Sequence, residues 1–157
     1  MGDVRLVLEL IPPADGMLLT VYLLCALPIL WADIRWMIIP DIVVLPAILL
    51  FLLLRLYLSV HGPIEIILPV LLILAAASLV YAAARGGIGP GDIKLVTMTA
   101  AAFGAVFTAA AAFIAILLSA SWAIALLATG KARRDTRIPW APFIIAGTIL
   151  LQLLRYG

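Results

Sequence analysis

Asparagine is absent from this 157-residue sequence, and cysteine and histidine occur once each, as Cys25 and His61. Without asparagine there is no N-glycosylation acceptor. One cysteine excludes an internal disulfide and any Cys-x-x-Cys metal or redox pair. One histidine leaves no zinc constellation. Charge is scarce too: 11% of residues are Asp, Glu, Lys or Arg, against about 25% in an ordinary soluble domain. Long polar stretches are also missing, and residues 130–137 have only the length of a short loop.

Apolar residues fill the rest, at 67% of the chain and a mean hydropathy of +1.31. A chain of this size cannot hide so much apolar surface inside a water-facing globule. That excludes a soluble enzyme, a disordered tail and a nucleic-acid-binding module. It implies an integral membrane protein whose first partner is the lipid bilayer. Asp3 and Glu9 stand where a secretory signal would carry basic residues, so the N-terminus does not read as one.

Polar and Pro/Gly punctuation divides the chain into six apolar runs, near 17–32, 42–58, 64–84, 93–106, 107–129 and 138–154. A span needs roughly 20 apolar residues. The first run is short for one, and runs four and five form a single Ala-rich stretch that is too long, with Gly104 at the expected turn. The alternation of a membrane barrel is absent. The expected fold is all-α: one domain over 1–157, a polytopic membrane protein of six transmembrane helices. Arg35, Arg85, Lys94, Lys131, Arg133, Arg134 and Arg137 then fall on one side, and Arg5, Arg55 and Arg155 on the other. The richer side is cytoplasmic by the positive-inside rule, which puts both termini outside.

Three acids, Asp33, Asp41 and Asp92, border apolar runs on that cytoplasmic side. A carboxylate at mid-membrane depth costs about 2.5–3.5 kcal/mol on insertion scales, less near the interface. A helix N-cap accounts for Asp41 after Pro40, where asparagine would serve as well, and a cap is open to Asp92 after Gly91. Asp33 closes the first run, where the helix dipole disfavours an anion, and needs another justification. Asp92 is delivered by Gly86-Gly87-Ile88-Gly89-Pro90-Gly91, with Lys94 two residues on. Such backbone is costly to order but permits sharp turns and close approach.

Two carboxyls on one side suggest a dyad. At about 3 Å they cannot both ionise, so one takes a proton from water while the other hydrogen-bonds a substrate carbonyl. Water then attacks a peptide bond without a covalent intermediate. No Ser-His or Cys-His pair stands in a usable position, and His61 falls on the opposite face.

The residues also resemble a known family. Asp33-Ile34-Arg35 with Ile39-Pro40-Asp41 looks like the first motif of the type IV prepilin peptidases. Gly89-Pro90-Gly91-Asp92-Ile93-Lys94-Leu95 resembles their Gly-x-Gly-Asp-x-Lys-Leu motif. Ile138-Pro139-Trp140-Ala141-Pro142-Phe143 is similar to the segment that opens their last span. The resemblance implies a six-helix membrane aspartyl protease. Its substrates would be type IV prepilin-like or archaeal preflagellin precursors, cut at the cytoplasmic membrane face. It implies Asp33 and Asp92 as catalytic residues, and Arg35, Gly89, Gly91 and Lys94 as supporting or substrate-binding ones. No cofactor, metal or nucleic acid is implied. Met37 departs from the basic residue many members have there, and Pro90 is unusual between the two glycines. The paired Cys-x-x-Cys of the bifunctional members is missing, so methylation of the new N-terminus is not expected. Another Gly-x-Gly-Asp intramembrane protease, akin to signal peptide peptidase, is the alternative, although Ala32 stands where those enzymes have tyrosine. A small transporter is a further alternative, against which the rim position of the acids counts.

Overall fold

The computed structural model of the chain describes residues 13–58, 62–83, 89–130 and 138–156. Six helices occupy them, with no strand among the described residues: α1 (Pro13–Trp36), α2 (Asp41–Leu58), α3 (Pro63–Ala83), α4 (Pro90–Phe103), α5 (Ala105–Ala128) and α6 (Ala141–Tyr156). The all-α expectation holds, and so does the turn at Gly104. Its φ of +87° suits glycine, and its N–H donates to the Ala100 carbonyl. Three of the helices begin on proline, at Pro13, Pro63 and Pro90. A first-turn N–H has no intrahelical partner in any case, so proline is lost there at no cost. Residues 1–12, which include Asp3, Arg5 and Glu9, lie outside the described residues. So do His61, residues 84–88 with Arg85, Gly86, Gly87 and Ile88, the basic loop at 131–137, and Gly157.

The expectation of six full spans is only partly met. Four helices, α1, α2, α3 and α5, are long and apolar enough to cross a membrane. The chain is a membrane protein, and many large apolar side chains on these helices face outward, Leu24, Leu49, Leu72 and Ile124 among them. The first run is longer than it reads. α1 has 24 residues and continues through Asp33 and Arg35 to Trp36. In contrast, α4 has 14 residues and α6 has 16, both below a full span. The reason is visible in α4. It is the interior helix, with contacts to all five others, and its buried side chains run from Thr97 through Ala102 without a break.

Small and polar side chains make this packing possible. Between helices in lipid, close contact and hydrogen bonds matter more than the hydrophobic effect. Gly147 of α6 meets α5 so tightly that a Cβ there would lie 2.6 Å from the Ala111 carbonyl oxygen. Tyr22 of α1 is fully buried, packs edge-on to Phe103, and shares a 3.0 Å hydrogen bond with Thr99 of α4.

The link from α1 to α2 is four residues, 37–40. Met37 opens it at φ +53°, its N–H donating to the Asp33 carbonyl at 2.9 Å. The left-handed conformation costs a residue with a Cβ about 1–2 kcal/mol. Glycine removes that strain and gives back about 0.5–1 kcal/mol through the freer unfolded chain. Met37 is exposed, so its side chain has little packing to lose. Met37→Gly is therefore expected to raise the thermal midpoint in detergent. A lowered midpoint would show that the Met37 side chain contributes more than its backbone costs.

Candidate active site

Asp33 lies in the last turn of α1, at the negative end of its own helix, and is 5% exposed. The justification comes from α6. The N–H of Ala141, the first residue of that helix, donates to Asp33 Oδ2 at 2.8 Å, and the backbone at Trp140 contributes as well. A helix N-terminus offers unpaired N–H groups and the positive end of a dipole, which is what a buried carboxylate requires. The segment 138–143, singled out as a motif, thus acts through its backbone. Reading side chains could not find this. The available signal was the Pro139 and Pro142 punctuation, which marks a helix start.

Asp92 occupies the third position of α4. Its Oδ2 accepts the N–H of Gly89, the residue that caps the helix, at 3.1 Å. This is the acidic half of a capping box. The backbone at Gly89 has an ordinary φ of −80°, so glycine is not needed there for conformation. A Cβ would instead lie 3.3 Å from the Asp92 carboxylate oxygen. Gly91 is tighter still: a Cβ there would meet Ile39 Cβ at 2.8 Å. The Gly-x-Gly pair therefore allows close approach, and what approaches is the Ile-Pro-Asp stretch of the first motif.

The fold brings the two acids together. Asp33 and Asp92 share no direct hydrogen bond, yet Trp140 links their surroundings, its backbone contributing to Asp33 and the residue itself lining the same groove as Asp92. That groove has a volume of about 450 Å³. Its lining is otherwise almost wholly apolar, mixing alanines of α3 and α5 with branched side chains such as Ile73, Val96 and Ile116.

Asp41 is not the helix cap its position suggests. The Pro40 carbonyl accepts the first bonds of α2, from Val43 and Val44, so Pro40 holds the cap position and Asp41 is one residue inside. Its carboxylate is taken by Lys94, whose Nζ lies 2.6 and 2.7 Å from the two oxygens. Lys94 is thus engaged by the first motif. Arg35 is exposed and makes no hydrogen bond or ion pair with another described residue. No cluster of metal-ligating side chains occurs among the described residues.

Residues 18–124, more than half of the sequence, match the model of a family described as the type IV leader peptidase family. The chain belongs to that family. It is a leader-peptidase-like protease, and its substrate is a precursor protein. No curated protein and no solved structure matches the chain. The family match takes in both aspartates, Gly89, Gly91 and the Asp41–Lys94 pair. It ends before α6, so the backbone donors to Asp33 lie outside it.

The close approach at Gly91 has a measurable consequence for this leader peptidase. Gly91→Ala sets a methyl group against the branched Cβ of Ile39, which cannot swing aside, and overpacking of this kind costs about 1–3 kcal/mol. Gly62→Ala, at the start of α3 with nothing within 4 Å, is the control. Gly91→Ala is expected to lower the thermal midpoint in detergent and Gly62→Ala to leave it in place. Equal midpoints would show that α2 and α4 separate freely at this point.

Proposed function

We propose that the chain is a membrane aspartic endopeptidase that removes the leader of type IV prepilin-like or preflagellin precursors at the cytoplasmic membrane face. The observation that carries this reading is that Trp140, whose backbone contributes a hydrogen bond to Asp33, also lines the groove that Asp92 lines, both acids lying within the family match. The ionised member of the pair takes a proton from water. The resulting hydroxide attacks the scissile carbonyl, and the protonated member donates to the developing oxyanion. On collapse of the tetrahedral intermediate the C–N bond breaks, and the carboxyl that took the water proton gives it to the departing amine. The other carboxylate recovers its proton from the hydroxyl that becomes the new carboxyl group, which restores the pair. The apolar groove that Asp92 lines supports a substrate with an apolar segment next to its cleavage site. Exposed Trp31 and Trp36 at the same end of α1 support a position at the membrane–water boundary.

Asparagine keeps the shape of aspartate without its charge. Asp33→Asn and Asp92→Asn are expected to insert and fold, yet to lose essentially all leader removal from a type IV prepilin precursor. The double variant should fare no worse than either single one, because groups that act as a unit are non-additive. Substantial cleavage by either single variant overturns the aspartic reading.

The orientation is tested separately. In a Cys25→Ala background, single cysteines are placed at Lys131 and Gly157 and exposed to an impermeant thiol reagent in intact cells. Labelling is expected at position 157 and not at 131. The reverse pattern puts the basic loop, and with it the acids, on the outer face.

A further inference from the structure

The Asp41–Lys94 ion pair is placed where it adds little to stability. The side chains are 55% and 34% exposed, and an exposed pair contributes about 0–1 kcal/mol. The helices it joins are already packed together below it, with Val44 of α2 and Leu95 of α4 fully buried and Ile39 pressed on Gly91. Its geometry is nevertheless well defined. One ammonium group bridges both carboxylate oxygens, at 2.6 and 2.7 Å.

The covalent connections on either side of the pair say what it does. Asp41 follows Asp33 through the end of α1 and the four-residue link 37–40, which can span at most about 14 Å. Lys94 follows Asp92 by two residues within the first turns of α4. The chain from Asp33 to Asp41, the ion pair, and the turn from Lys94 back to Asp92 form one continuous path from the first acid to the second. The acids stand at the two ends of that path, and neither is hydrogen-bonded to Asp41 or Lys94. Each acid is otherwise held by a different partner, Asp33 by the start of α6 and Asp92 by Gly89. Apart from packing, the ion pair is what ties one anchorage to the other across the open end of the site.

We propose that Asp41 and Lys94 are positioning residues that fix the spacing of Asp92 from Asp33, a role that rests on the reading of those two acids as the catalytic pair. Reacting groups lose about 100-fold in rate for a displacement near 1 Å. Loss of the clip therefore lowers turnover while leaving the substrate groove and the fold intact.

The test compares Asp41→Asn, Lys94→Met and the charge exchange Asp41→Lys with Lys94→Asp, each purified whole in detergent and assayed on a type IV prepilin precursor, with Asp92→Asn alongside. Each single variant is expected to lower kcat by about 10- to 100-fold, with KM and the thermal midpoint close to wild type. The charge exchange is expected to recover most of that loss, because it restores the ion pair in reverse. Wild-type kcat in both single variants, with Asp92→Asn inactive, overturns the positioning role and leaves the aspartic reading standing. Active Asp92→Asn overturns the aspartic reading itself. A raised KM with no recovery on exchange assigns Lys94 to substrate contact, and a lowered midpoint with no recovery assigns the pair to folding. Both of these outcomes also overturn the proposal.

Discussion

A carboxylate in the last turn of a helix faces the wrong end of that helix's dipole, and in an apolar bundle it has little water to turn to. Asp33 is in this position, and the start of α6 resolves it. The Ala141 N–H and the backbone at Trp140 supply the donors that α1 cannot. This one arrangement fixes several others. α6 must begin at the height where α1 ends, and the segment before α6 must pass close to the site. The 37–40 link must then turn α2 back into the bundle beside it. A buried acid thus acts as a register mark for three helices, α1, α2 and α6.

The second acid is handled differently. Asp92 uses its own helix start, with the Gly89 N–H as donor, and so belongs to a local motif rather than a long-range one. Its location depends on steric contact, because Gly91 lets α4 come down onto Ile39. Hydrogen bonding therefore sets one member of the pair, and the absence of a side chain sets the other. The segments that carry them are joined through 37–40, through the packing of Ile39 on Gly91, and through the Lys94–Asp41 contact.

Much of this was legible in the sequence. The six helices follow from apolar run length and Pro/Gly punctuation, and the Gly104 turn follows from a stretch too long for one span. Asp33 and Asp92 stood out because a carboxylate beside an apolar run is costly and needs a reason. Local patterns could not show which groups supply that reason. The donors to Asp33 lie 108 residues away in the chain and are backbone amides, which carry no residue-type signature. Asp41 read as a cap because it follows proline at a helix start. Its bond to Lys94, 53 residues on, depends on how α2 and α4 pack. The first apolar run ends near residue 32, yet α1 continues to Trp36, because a helix continues through polar positions when a partner helix satisfies them.

The brevity of α4 reaches beyond the site. At about 1.5 Å per residue its 14 residues rise about 21 Å, some 9 Å less than a typical hydrocarbon layer. Either the bilayer thins around this bundle or one end of α4 stops below the surface of the lipid tails. Irregular backbone at such depth survives only when protein screens it from lipid. The two ends of α4 differ in this respect: Gly104 is half-buried among the surrounding helices, whereas Gly89, beside Asp92, is exposed.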